Sequence, residues 1–171
     1  MTAQRNPSRT LLVTFMGVTA VSLGSFVNPS YQVRYNASRS APLGWYAVIP
    51  ERHMRVGDFA LARLPIAAAV LADQRDYLPK SVPILKRITA MDGQIVCALA
   101  DGIAVDGVLI ARTLAHDSAG RALDHWTGCR RLAVDELFLL NPDSAASFDS
   151  RYFGPIHRFQ VVGKAIPLWT W

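Results

Sequence analysis

Between Arg9 and Arg34 the chain carries no charged residue, and within that gap the stretch Leu11 to Val27 is mostly apolar. Drawn as one helix, the charge-free run Thr10–Val33 would reach about 36 Å, against a hydrocarbon core of about 30 Å. Nothing polar marks a solvent face along it, which argues against a helix buried in a protein core. The run predicts a transmembrane anchor or signal segment over residues 10–29, with a short cytoplasmic tail over 1–9 and an exported domain over 30–171. Ser22-Leu23-Gly24 supplies small residues at signal-cleavage spacing, so a cleaved leader is the rival reading. Arg5 and Arg9 precede the run while Arg34 and Arg39 closely follow it, so the positive-inside rule alone does not orient it. A nine-residue tail is too short for a domain, and two cysteines lie beyond the run; both favour export of the C-terminal part, to the periplasmic face of an inner membrane.

The whole chain has 171 residues, room for one ordinary domain with a real core. Its 51% apolar and 18% charged residues exclude disorder and a bundle of membrane helices. No repeat, low-complexity tract or Gly/Ser/Pro-rich linker divides it. Strand signals fall at Trp45 to Ile49, Asp58 to Leu64, Ile84 to Ile88, Gln94 to Ala98, Glu136 to Leu140 and Phe159 to Leu168. Asp106-Gly107 between the apolar pairs of IAVDGVLI predicts a tight hairpin. Ile66 to Arg75 reads as a helix that Pro65 can open, and the polar stretch Asp117 to Arg131 reads as a loop. The expected class is therefore mainly β and antiparallel.

The formal charge is +5, from 18 Lys+Arg against 13 Asp+Glu. Only Lys80, Lys86 and Lys164 are lysines, and the arginines are scattered rather than run together, which disfavours a nucleic-acid partner. Cys97 and Cys129 lie too far apart for a CxxC motif; they could form one disulfide outside the cytoplasm, or remain as two buried thiols. His53, His116, His125 and His157 are dispersed. Metalloprotease, zinc-finger, P-loop and α/β-hydrolase motifs are all missing, so neither a metal nor another cofactor is expected. No lysine follows a serine by three residues, which removes the SxxK arrangement.

Three segments can carry chemistry. On a strand over Ile84–Ile88, Lys86 shares a face with Ile84 and Ile88. A lysine pressed among apolar neighbours loses solvation of its charge, so its pKa falls and the neutral amine becomes a base. The competing reading is a lysine whose stem carries the ammonium out to water. Asn36 to Tyr46 (NASRSAPLGWY) presents Ser38 and Ser40 in a Pro/Gly turn able to expose a hydroxyl. Ser147 to Gly154 (SFDSRYFG) packs an acid, two hydroxyls, an arginine and aromatics into eight residues, and by itself reads as a polar knot of Asp149 and Arg151. Arg39 reads as a solvated or lipid-facing charge.

Taken in this order behind an apolar N-terminal segment, the three segments resemble the type I signal peptidases of the Ser/Lys class, and within it the conjugative-transfer branch called TraF. The resemblance runs from the N-terminal segment through the closing VVGKAIPLW. It implies Ser40 as nucleophile, Lys86 in LKRITAMDGQIV as general base, and Ser147, Asp149, Ser150, Arg151, Tyr152 and Gly154 as the family's SxDSRYxG box. It also implies Ser38 as an oxyanion donor, Ser147 as the residue orienting the lysine, and Asp149 with Arg151 as a brace. The chain departs from the housekeeping signal peptidases in having one residue rather than two between Ser40 and Pro42, with Gly44 and Tyr46 following as in the TraF branch. It also has Asp92-Gly93 where Gly-Asp is usual, and an inserted Val56 in the Arg55–Asp58 strand entry, which reads as structural. The implied fold is mainly β, with antiparallel coiled, partly barrel-like sheets and one N-terminal membrane helix. The implied activity is processing, and in some members cyclisation, of a membrane-associated pilin precursor. General signal peptidase activity, or a non-catalytic role in a pilus or secretion assembly, are the alternatives. A cytoplasmic self-cleaving repressor would share the pair but lacks the expected DNA-binding segment here.

Overall fold

The computed structural model describes residues 7–25, 31–50 and 53–171, in two units divided after Ser30. In the first unit α1 spans Pro7–Ser25. The tail up to residue 6 and positions 26–29 of the expected anchor lie outside the described residues. Among the described residues no helix is long and apolar enough to cross a membrane. The 19 residues of α1 rise about 28 Å at 1.5 Å each, and Thr14, Gly17, Thr19 and Ser22 dilute their apolar character. By residues 32–33 the chain is already in a strand.

Among the described residues the second unit has eleven strands, β1 (Gln32–Asn36), β2 (Gly44–Ile49), β3 (Phe59–Ala62), β4 (Ile84–Ala90), β5 (Ile95–Leu99), β6 (Gly102–Val105), β7 (Val108–Arg112), β8 (Cys129–Arg131), β9 (Glu136–Leu140), β10 (Ile156–His157) and β11 (Val161–Thr170). Helix α2 (Ile66–Gln74) lies between β3 and β4, and the single turn α3 (Ser150–Phe153) follows β9. All pairings are antiparallel. They form a seven-stranded sheet in the order β1-β2-β11-β3-β4-β9-β10 and a four-stranded sheet in the order β7-β6-β5-β8. Both orders are linear and end on different strands, so neither sheet closes and the barrel-like expectation becomes two open sheets.

β9 explains how the sheets share a core. Its sequence ELFLL is buried throughout, so both faces of the strand must meet apolar partners. Leu137 and Leu139 join Ala60, Ala62, Ile88 and Ile156 on one side. Phe138 and Leu140, one residue out of phase, pack with Val96, Ile103 and Val105 of the smaller sheet. In the β6–β7 hairpin, Asp106 (φ 49°) and Gly107 (φ 84°) both take the positive angles that a type I′ turn requires.

Differences from expectation are local. β1 is an almost wholly exposed edge strand, so no buried alternation marked it. The expected loop over 117–131 ends in β8, which pairs Cys129 directly with Cys97 of β5, and the two cysteines are joined in a disulfide. The C-terminal strand begins at Val161 rather than Phe159, because Arg158–Gln160 form a 3-10 turn.

Candidate active site

The connection from β1 to β2 is templated by one side chain. Asn36 Oδ1 accepts the Ser38 N–H at 3.1 Å, while its Nδ2 donates to the carbonyls of Ser38, Pro42 and Ala41 at 2.9, 3.0 and 3.2 Å. The buried Tyr46 adds a 2.8 Å bond from its hydroxyl to the Pro42 carbonyl. This cradle presents two hydroxyls together, with Ser38 Oγ and Ser40 Oγ 3.0 Å apart. The Ser40 N–H points at Ser38 Oγ from 3.4 Å.

β4 brings the lysine. Its burial alternates strictly, and Lys86 stands on the inner face with Ile84 and Ile88. The residue opposite it on β3 is Ala60, whose small side chain leaves room for the lysine stem. Lys86 is only 4% exposed, so its stem does not carry the charge to water. Nζ donates to Ser40 Oγ at 2.9 Å and to Ser147 Oγ at 2.6 Å. Burial is the main cause that pushes the Lys86 pKa down, to about 8; Asp149 opposes the shift and Arg151 adds to it. Asn141 holds the strand on either side of the lysine, accepting the Arg87 N–H at 2.9 Å and donating to the Leu85 carbonyl at 3.2 Å.

Ser147 is held in turn by a buried ion pair. Arg151 Nε and Nη2 each donate to the Asp149 carboxylate at 2.8 Å, and both residues are fully buried. The same guanidinium donates to the carbonyls of Arg112, Ser144 and Ser147 at 2.9, 2.8 and 3.2 Å. The spare acceptor positions of Asp149 take the N–H groups of Arg151 and Asn141, both at 3.3 Å, and the first of these caps α3. A guanidinium with a two-point carboxylate and three carbonyl acceptors is satisfied at every face, which is what an interior charge pair requires. Ser150 Oγ accepts the Leu139 N–H at 3.0 Å, tying the box to β9. Gly154 (φ 76°) ends α3 against Trp126, whose ring would lie 2.5 Å from any Cβ placed there.

Ser38, Ser40, Lys86 and Ser147 thus meet along one wall of a cavity of about 600 Å³ whose other walls are largely apolar, with Leu61, Leu78, Leu123 and Phe148 among them. Asp149 and Arg151 stand behind Ser147. Cys97 and Cys129 lie apart, on the smaller sheet. Among the described residues no group of three or more His, Cys, Asp or Glu could hold a metal. Sequence reasoning missed Asn36, Tyr46 and Asn141; only the first left a signal, an Asn two residues before a serine turn. A serine hydroxyl against a desolvated lysine amine, with a second hydroxyl and an N–H beside it, is equipped for acyl transfer.

The antiparallel β scaffold thus holds a serine and a buried lysine within hydrogen-bonding reach of each other. The chain belongs to the signal peptidase family, peptidase S26, which matches residues 8–170. It is 31% identical to the conjugal transfer protein TraF of Agrobacterium fabrum over 175 residues, covering 95% of this chain and 98% of that one. A plasmid transfer protein TraF of Escherichia coli is likewise 31% identical, over 81% of this chain and 83% of its own. A solved signal peptidase I from Enterococcus faecalis V583 aligns with 67% of this chain and 97% of its own, at 17% identity and a TM-score of 0.39.

Proposed function

We propose that this chain is a serine endopeptidase that matures a membrane-associated pilin precursor, with Ser40 as nucleophile and Lys86 as general base. The observation that carries the reading is the buried Lys86 Nζ, 2.9 Å from Ser40 Oγ. A pKa near 8 leaves a usable fraction of neutral amine near neutral pH. The neutral amine takes the Ser40 proton as Oγ attacks the scissile carbonyl carbon. The oxyanion is met by the Ser40 N–H and the Ser38 hydroxyl, each donor contributing about 2.7–4 kcal/mol. Collapse breaks the C–N bond, Lys86 returns the proton to the leaving amine, and an ester on Ser40 remains. Water then resolves the ester to a truncated product, whereas the substrate's own N-terminal amine would close it into a ring.

The conjugal and plasmid transfer names of the relatives support a role in conjugation, and a pilin precursor is the substrate we assign to that role. The Cys97–Cys129 disulfide supports an oxidising compartment, and we place the domain on the periplasmic side of the inner membrane. Leu11, Leu12, Phe15 and Met16, all more than 60% exposed on α1, support attachment to the membrane lipid. The test is the intact mass of the candidate pilin co-expressed with the wild-type chain and with Ser40→Ala. Loss of a terminal peptide that depends on Ser40 is expected, and a further deficit of one water reports cyclisation. Identical masses with both proteins overturn the pilin-processing reading and favour a non-catalytic assembly role.

A further inference from the structure

Ser40 stands at the junction of two cavities and, among the described residues, is the one they share. The first is the largely apolar one that holds Ser38, Lys86 and Ser147. The second, of about 380 Å³, is lined by Arg39, Phe59, Arg87, Pro142, Asp143 and Trp171 among others. On β4 the neighbours Lys86 and Arg87 part company, Lys86 lining the first cavity and Arg87 the second. The nucleophile loop repeats the division, with Ser38 lining the first cavity and Arg39 the second.

The two arginines are available for a ligand. Arg87 lies over the Phe59 ring at 4.3 Å and donates from Nη1 to the Gly57 carbonyl at 2.9 Å, which holds its guanidinium plane in place. No carboxylate engages its remaining donors among the described residues. Arg39 likewise has no ion pair among them. Asp143, which also lines this cavity, is exposed and pairs with neither arginine.

A peptide with its scissile carbonyl at Ser40 Oγ sends one flank into each cavity. The larger, apolar cavity offers the longer grip on the acyl portion. We propose that the second cavity is a leaving-side subsite in which Arg39 and Arg87 bind a carboxylate of the departing peptide. This deepens the serine-peptidase reading and rests on it. The same subsite would seat an incoming amine, because resolving the ester with an amine is cleavage run backwards. In that step the amine nitrogen attacks the acyl carbon, a C–N bond forms, the bond to Ser40 Oγ breaks, and the amine proton passes through Lys86 to Oγ.

The test uses the full chain acylated by N-acetyl-alanine p-nitrophenyl ester, with release of p-nitrophenol as the burst signal. Three acceptor peptides compete with water for the ester: Ala-Gln-Ala-amide, Ala-Glu-Ala-amide, and Ala-Gln-Ala with a free C-terminus. A carboxylate-bearing acceptor should be captured about tenfold better than the neutral one, relative to hydrolysis. Which of the two wins tells a side-chain carboxylate from a terminal one. The advantage should vanish in Arg39→Gln and in Arg87→Gln and persist in part in Arg87→Lys. Arg39 lies in an exposed loop, so its variant keeps the test decisive even if Arg87→Gln folds poorly. Equal capture of all three acceptors after a normal Ser40-dependent burst overturns the subsite alone. Absence of that burst overturns the peptidase reading and the subsite with it.

Discussion

Lys86 Nζ lies 2.6 Å from Ser147 Oγ, closer than it lies to Ser40 Oγ. Ser147 is almost fully buried and its backbone is gripped by Arg151, so this hydroxyl is a fixed point against which the lysine amine is aimed. A bond from the amine to Ser147 leaves the nitrogen lone pair of the neutral form directed toward Ser40. Ser147→Ala should therefore lower kcat by about 10²-fold with KM little changed, since what is lost is orientation rather than substrate contact. Steady-state kinetics on the processed substrate check this; a pure KM effect would contradict it.

Activity should rise with pH through about 8, because the base works only as the neutral amine. The same shift affects stability, with a definite sign. The pKa of Lys86 is about 8 in the folded chain and 10.5 in the unfolded one. Between these values the unfolded state holds the extra proton, so this group makes stability rise with pH across that window. Below pH 8 the full penalty stands, about 3 kcal/mol at 1.36 kcal/mol per unit.

Lys86→Met should consequently abolish processing and yet raise the melting temperature at pH 7. Removing the buried charge relieves the penalty, and the hydrogen bond lost to Ser147 offsets about 1 kcal/mol of that gain. Thermal unfolding at pH 7 and at pH 10.5 provides the check. The advantage of the variant should shrink at the higher pH, and a variant less stable than wild type at pH 7 would show that the lysine is not desolvated.

Asp149→Ala should destabilise by about 3–5 kcal/mol, because it strands the Arg151 guanidinium without a counter-charge in a fully buried setting. Asp149→Leu combined with Arg151→Met should cost clearly less than the two single changes summed. Denaturant titration of the four proteins measures the coupling, and simple additivity would mean that the pair is not acting as one unit.

Asn36→Ala should reduce kcat by about 10²-fold, since its four bonds hold the loop that carries both hydroxyls. Asn36→Asp should be no better, because a carboxylate facing the carbonyls of Ser38, Ala41 and Pro42 has no proton to donate. Rescue by aspartate would show that accepting the Ser38 N–H is the part that matters.

Short-range pattern was enough for much of this protein. β9 reads directly as ELFLL, the β6–β7 turn as Asp106-Gly107, and the inward face of Lys86 follows from the alternation of β4. The SFDSRYFG box was legible as a motif, and Asp149 with Arg151 as a pair. Strand edges were less legible: β1 is almost wholly exposed, so no buried alternation marks it. The assembly of the site was decided by tertiary structure alone. Ser40 and Ser147 stand 46 and 61 positions from Lys86, and the strand order β2-β11-β3-β4-β9 of the larger sheet brings the three within hydrogen-bonding reach. The role of Asn141, which bonds the backbone on either side of Lys86 from more than fifty positions away, arises in the same way. Periodicity and turn chemistry act over a few residues, whereas desolvation and hydrogen-bond geometry depend on which distant strands are neighbours.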